Sequence, residues 1–284
     1  MNRLLLRTGL VFFALLWPCG NPTYAQEQPE SPLAAAGDPL VQKIREVLAR
    51  EKKTSVVVAD FLSSRGMVTE FSRAAAEQVA RSLAAAGPVR VVEPPVVRDH
   101  LGPRNLLAVD LEVKDIAHIV ARTLNAETVM TGETRTRGRE IEVAVVLKDV
   151  PEGKVLAEEA FVLSRSEGLD AAQARPVDGA DGQVIRLRTE GITEPKCLRC
   201  PDPDYSEEAR RLKLDGYVAL RATVNVDGSV SNLAVFHTPG YGLDVKAVDV
   251  ISRWKLAPAK DEGGQPFPCR VTIEVMFRTL RGAH

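Results

Sequence analysis

Aromatic side chains are scarce in this chain: Phe, Trp and Tyr together make up 5% of its 284 residues. Stacking platforms for unpaired bases therefore have little to draw on. An excess of one charge is also missing, with 37 basic against 38 acidic residues, so there is no bulk attraction to a phosphate backbone. Nucleic acid is excluded as a partner on both counts. Histidine is rare and scattered, at His100, His118, His237 and His284. No HExxH, GxSxG, phosphate-loop or GxGxxG pattern occurs, so the sequence offers no catalytic residue, no metal site and no cofactor site. The reading is a non-enzyme. Long apolar runs are lacking too. The longest, Gly9 to Trp17, has nine residues, against about 20 for a helix that spans a bilayer.

That short run sits where an export signal would place it. Arg3 and Arg7 precede it, and Thr23-Tyr24-Ala25 follows as a small-residue exit before Gln26. Residues 1–25 read as a signal peptide cleaved after Ala25. Two alternatives stay open: lipidation at Cys19 after Leu16-Trp17-Pro18, and an uncleaved inner-membrane anchor with membrane association through this segment. Either way the folded part lies outside the cytoplasm, where disulfides persist.

Residues 26–37 are polar and proline-bearing and read as a flexible leader. Asp38-Pro39 is expected to open a helix, with an acidic cap and proline in the first turn. Ser55 to Phe61 reads as a buried strand, Thr69 to Ala86 as a helix and Val89 to Val92 as a second strand. Residues 96–112 show no clear period. Asp115 is expected to cap a helix running to Leu124. Thr128 to Gly132, Glu140 to Lys148 and Val155 to Leu163 then form a meander, with Asp149 to Gly153 as its second turn. The pieces describe an α/β sandwich over 38–164. Its "VVADF" strand, alanine-rich helix, "RVVE" strand and "LNAETVMTGE" segment resemble the α/β domain of envelope proteins of the CsgG, FlgO and TolB amino-terminal type. That resemblance implies an assembly or binding domain and brings no catalytic residue.

Residues 165–195, rich in small and turn-forming side chains from Ser164 to Gly182, read as a linker. A carboxy-terminal domain follows over 196–284. Tyr205, Ala209 and Leu212 share a helix face capped by Asp204 or Ser206, with Glu207 and Glu208 in the first turn. Tyr217 to Val226 and Ser229 to Phe236 are two strands joined at Asp227-Gly228. Leu243, Ala247, Val250, Ile251 and Trp254 mark a second helix, closed off by Pro258. In the last strand Phe267, Cys269, Val271, Ile273, Val275 and Phe277 point inward, and Arg270, Thr272, Glu274 and Arg278 outward. The fold class is thus α+β: an α/β sandwich of strand, helix, strand, helix and meander, plus a small helix–hairpin–helix–strand domain.

The second domain resembles the carboxy-terminal domain of TonB-family energy transducers. Tyr205 with Ala209, Gly216, Asp227-Gly228, Gly242-Leu243-Asp244, Ala247 and Trp254 to Ala259 carry the likeness, together with the strand ending at Phe277-Arg278. Ser206 stands where the family usually has proline. The resemblance implies a periplasmic protein–protein module whose partner is an envelope or outer-membrane, receptor-like protein, taken up by adding a strand to an open edge. The edge it implies is the last strand, with Arg270, Thr272, Glu274 and Met276 facing the partner side or solvent. A working transducer also needs a membrane helix and a long spacer. Here the apolar segment is short and a folded domain replaces the spacer, so binding related to TonB-dependent transport is the first reading and energy transduction an alternative.

Cys197 and Cys200 remain. A zinc site would need a second pair of ligands. A thiol oxidoreductase, the other alternative, needs the pair at a helix N-terminus, and Pro201-Asp202-Pro203 keeps the next helix away. A local disulfide at the start of the carboxy-terminal domain is the expectation, with Cys269 a buried thiol. A cross-link from Cys269 to either of the other two stays open.

Overall fold

The computed structural model describes residues 32–186 and 192–278, all within one compact unit. The segment read as a signal peptide, including Cys19, lies outside the described residues.

A helix α1 (Pro32–Arg50) comes first, then β1 (Ser55–Val58), β2 (Leu62–Ser63), α2 (Glu70–Ala85), β3 (Arg90–Val92), α3 (Pro94–Leu101) and α4 (Lys114–Thr123). The meander is β4 (Thr128–Arg137), β5 (Glu140–Asp149) and β6 (Val155–Ser164). The sheet order is β3-β1-β4-β5-β6, with β1 parallel to β3 and β4 and the meander antiparallel. Helices cover both faces. Leu40, Ile44 and Leu48 of α1 and Phe71, Val79 and Leu83 of α2 bury one face on Val56, Val58, Ile141, Val143 and Val145. Val97 of α3 and Ile116 and Val120 of α4 bury the other on Val57 and Val129.

Several local expectations shift. Helix α1 is already formed at Pro32, the first described residue, ahead of Asp38, and Pro39 lies inside it. Leu33 and Ala36 gain burial against the sheet core, which draws this helix-forming Leu-Ala-Ala-Ala stretch into the helix. Strand β1 stops at Val58 because Asp60 turns inward, its carboxylate accepting from Arg73 at 3.3 Å and Arg98 at 2.6 Å. Burial outweighs the guanidinium pull and holds the Asp60 carboxyl above the ordinary range. Helix α4 is capped by Val113 with no side-chain cap bond, and Asp115 lies in its first turn. Helix α2 starts as expected, with reciprocal bonds: the Ser72 amide donates to Thr69 Oγ1 and the Thr69 amide to Ser72 Oγ, both buried. Thr69→Ala is expected to cost about 1–2 kcal/mol in urea unfolding, and Thr69→Ser to restore most of it.

The stretch read as a linker is largely built into the fold. Ser166 caps α5 (Glu167–Ala174), whose Leu169 and Ala172 pack on the first core. A short α6 (Ala180–Gln183) and β7 (Ile185–Arg186) follow, with Val177 and Val184 buried between them and Val68. Next come β8 (Lys196–Arg199), α7 (Glu207–Arg211), β9 (Gly216–Val224), β10 (Val230–His237), α8 (Leu243–Ile251), β11 (Lys255–Ala257), β12 (Ala259–Lys260), β13 (Pro266–Phe267) and β14 (Cys269–Phe277). The second sheet runs β10-β9-β14-β7, while β8 pairs with β11 and β12 with β13. One face of that sheet buries Val218, Leu220 and Val275 under Ala209 of α7 and Leu243, Ala247 and Ile251 of α8.

Candidate functional site

Strand β14 is hydrogen-bonded to β9 along its whole length, from Cys269 opposite Val224 to Phe277 opposite Gly216. On its other side β7 pairs in parallel with Cys269 and Arg270 alone. From Val271 to Phe277 that outer edge has no strand partner among the described residues. Seven residues of open edge present about 23 Å of main chain at roughly 3.3 Å per residue. Thr272, Glu274 and Met276 are exposed beside it.

Arg270, expected among them, is not. Its side chain is 0% exposed and points into the junction between the two domains. There Asp110, in the 3-10 turn Ala108–Glu112, accepts from Arg270 Nε at 3.0 and 3.1 Å and from Nη2 at 2.8 Å. The remaining Arg270 donors reach Asn105 O, Asn232 O and Thr223 Oγ1. All five guanidinium donors are used, which is what lets an arginine sit in a core. Arg221 of β9 donates to the same carboxylate at 2.7 Å and to Thr272 Oγ1 at 2.8 Å. Alternation alone sends Arg270 outward. The outward face of this sheet is the one that docks on the first domain, so outward here means buried.

Where the open edge meets that junction lies a cleft of about 620 Å³. Val109 and Val113 of the first domain line it, with Pro195 and Leu256 of the second and Val271, Thr272 and Ile273 of β14 itself. Glu112 and Glu194 add carboxylates to the lining. Val109 and Asp110 were missed by sequence reasoning, since 96–112 shows no period, and Val113 directly follows that stretch. The signal was the other side of the contact: Ala219, Arg221 and Thr223 alternate on β9 as small or pairing side chains, a face shaped to be covered.

Cys197 and Cys200 form a disulfide on and just after β8, with Cα atoms 6.0 Å apart. The first helix after the pair begins at Glu207, so the helix-terminus placement of a thiol oxidoreductase is not met along the chain. Cys269 is a buried free thiol whose pKa burial pushes up to about 12. Among the described residues no cluster of three or more His, Cys, Asp or Glu could hold a metal. No helix among them is long and apolar enough to cross a membrane.

The helix–hairpin–helix–strand order with a long last strand decides what the second domain is similar to. Residues 201–279 match the family model of the Gram-negative bacterial TonB protein C-terminal. No curated protein matches the chain. Among solved structures, the LpoB C-terminal domain from Salmonella enterica aligns at 18% identity over 47% of this chain and 98% of its own, with a TM-score of 0.36. The Pseudomonas aeruginosa TonB C-terminal domain aligns at 22% identity over 34% of this chain and 96% of its own, with a TM-score of 0.28. TolB from Acinetobacter baumannii aligns at 14% over 77% of this chain and 38% of its own, with a TM-score of 0.26. The likeness to the TonB C-terminal family is confined to residues 201–279, within which Ser206 caps α7, its Oγ accepting from the Ala209 amide at 3.0 Å. Serine in place of the expected proline at that position therefore leaves the helix start intact.

Proposed function

We propose that this protein is an exported envelope protein-interaction module that binds an extended segment of an outer-membrane or other envelope protein by adding it as a strand to β14. The single observation behind this reading is that, among the described residues, the main-chain edge of β14 from Val271 to Phe277 has no strand partner. An edge of that length leaves amide and carbonyl groups that a partner strand satisfies, and such main-chain bonds supply affinity with little sequence demand. The TonB-type match over 201–279 supports the same use of the strand.

The test uses the full chain in the periplasm with a photo-crosslinking residue at Glu274 or Met276, and at Val245 as an exposed control. The expected result is an envelope-protein adduct from the two β14 positions and not from Val245. The captured partner residues should be spaced by twos, as an extended strand requires. Adducts equal in yield from Val245, or scattered over a folded partner surface, would overturn the reading.

A further inference from the structure

We infer that the Cys197–Cys200 disulfide is a thiol–disulfide exchange site, opened in the folded chain by a dithiol protein, and that opening it releases β8 from β11. All four residues of β8 are exposed, Cys197 among them, and Cys200 is half-buried just beyond. The bond joins residues at a sequence separation of 3. Closing so short a loop takes little entropy from the unfolded chain, so folding protects this bond less than it would a long-range cross-link. Lys196 precedes Cys197 and Arg199 precedes Cys200, while Lys255 lies opposite Arg199 on β11. These cations favour both the approach of a thiolate and its departure. Leu198, between the cysteines, is 70% exposed and offers a protein reductant an apolar contact. Cys269 stays out of the exchange: it is buried, and its thiol, pushed up to about 12, is not ionised at neutral pH.

The exchange runs in two displacements. A thiolate of the dithiol attacks Cys197 Sγ, the more exposed sulfur, and the Cys197–Cys200 bond breaks. Cys200 Sγ takes the electron pair and then a proton from water; it lies 4.0 Å from Lys255 O, an acceptor for the new thiol. The second thiol of the dithiol loses its proton and attacks its own sulfur in the mixed disulfide, and Cys197 leaves as a thiolate. Two electrons have passed to the cysteine pair and the reductant has become a disulfide. The consequence for β8 follows from its pairing. Cys197 stands opposite Leu256 and Arg199 opposite Lys255, and just past the loop Pro201 O accepts from Trp254 Nε1 at 3.0 Å. The bond holds the ladder contacts and the tryptophan contact in one geometry. Once it is open, the segment between them regains backbone freedom that a short two-stranded ladder does not offset.

The test takes the full mature chain, oxidised and folded at neutral pH, with dithiothreitol or reduced thioredoxin as the dithiol. Samples are alkylated over time, and the peptide carrying Cys197 and Cys200 is followed by mass. Both reductants are expected to open the bond without denaturant, thioredoxin about tenfold faster than dithiothreitol at equal concentration. Leu198→Ser, a change at an exposed position, is expected to slow thioredoxin about threefold and leave dithiothreitol unaffected. Thr69→Ala, far along the chain, should leave both rates unchanged. Exchange that required global unfolding would instead run about 5–30-fold faster in that variant. Such an acceleration, or a bond that opens only in urea, overturns the site. Thioredoxin no faster than dithiothreitol overturns the protein reductant. Amide exchange then reads the consequence: in the reduced chain, and in Cys197→Ser with Cys200→Ser, it should quicken over Lys196–Arg199 while β9 keeps its protection. Unchanged protection over Lys196–Arg199 overturns the release of β8.

Discussion

Replacing Asp110 by alanine is expected to remove about 3–5 kcal/mol of unfolding free energy, because two guanidinium groups lose their common counter-charge inside the molecule. Arg270 is 0% exposed at its side chain and Arg221 10%, so neither can turn to water without the domains parting. The carbonyl partners Asn105 O and Asn232 O remain for Arg270, but they are dipoles and cannot neutralise it. The domains also share apolar contacts here. Ala234 of β10 is buried among Val97, Leu101 and Leu111, and Met67 packs near Val224, Phe267 and Cys269. Urea unfolding of the parent should therefore be one transition, and Asp110→Ala should move its midpoint down sharply or split it in two. Changing Asp110→Leu, Arg221→Met and Arg270→Met together is expected to recover most of the loss, since no buried charge is then left unpaired. A loss below about 1 kcal/mol for Asp110→Ala would falsify the claim that this cluster joins the domains.

What could be read in advance divides along physical lines. Elements whose burial follows a short period were legible: the alternation of Ile141, Val143, Val145 and Leu147 on β5, and the Asp227-Gly228 turn between β9 and β10. The turn at Asp149 to Gly153 between β5 and β6 is likewise a local event, its Gly153 amide donating to Asp149 O at 2.9 Å. What escaped depends on residues far apart in the chain. Helix α3 and the 3-10 turn carrying Asp110 have no long run of their own, and their position is set by packing on Val57, Val129 and Ala234. Arg270 was placed on the right strand and on the right side of it, yet misread as solvent-facing. A period-two pattern says which side chains share a face. It does not say whether another domain, bonded 160 residues away in sequence, covers that face. The use of the β14 edge is implied by family likeness alone; among the described residues β7 pairs with Cys269 and Arg270, and first-domain residues line the cleft beside Val271.

Gly228→Ala carries the second large effect, expected at about 3 kcal/mol or more in the same urea measurement. Gly228 ends the β9–β10 turn at φ +77°, where its amide donates to Asn225 O at 2.9 Å. Two causes of glycine at this place are separable. Positive φ alone costs an L residue about 1–2 kcal/mol, less for asparagine, which tolerates the left-handed region. The second cause is steric: a Cβ at Gly228 would lie 1.9 Å from Leu256 O, a backbone atom. Leu256 cannot swing away cheaply. Its amide donates to Gly228 O at 2.9 Å, and β11 is paired with β8, the strand that carries Cys197. Gly228→Asn is therefore expected to be as damaging as Gly228→Ala, because the same Cβ meets the same carbonyl. Recovery of stability by asparagine would show that φ alone selects glycine here. If the carbonyl contact decides, Gly228→Ala should also displace Leu256 and loosen β11 from β8, read as faster amide exchange over Lys196–Arg199 than in Thr69→Ala, whose change lies at the start of α2. The hairpin glycine then acts at a distance through β11, holding Leu256 in place beside Val271.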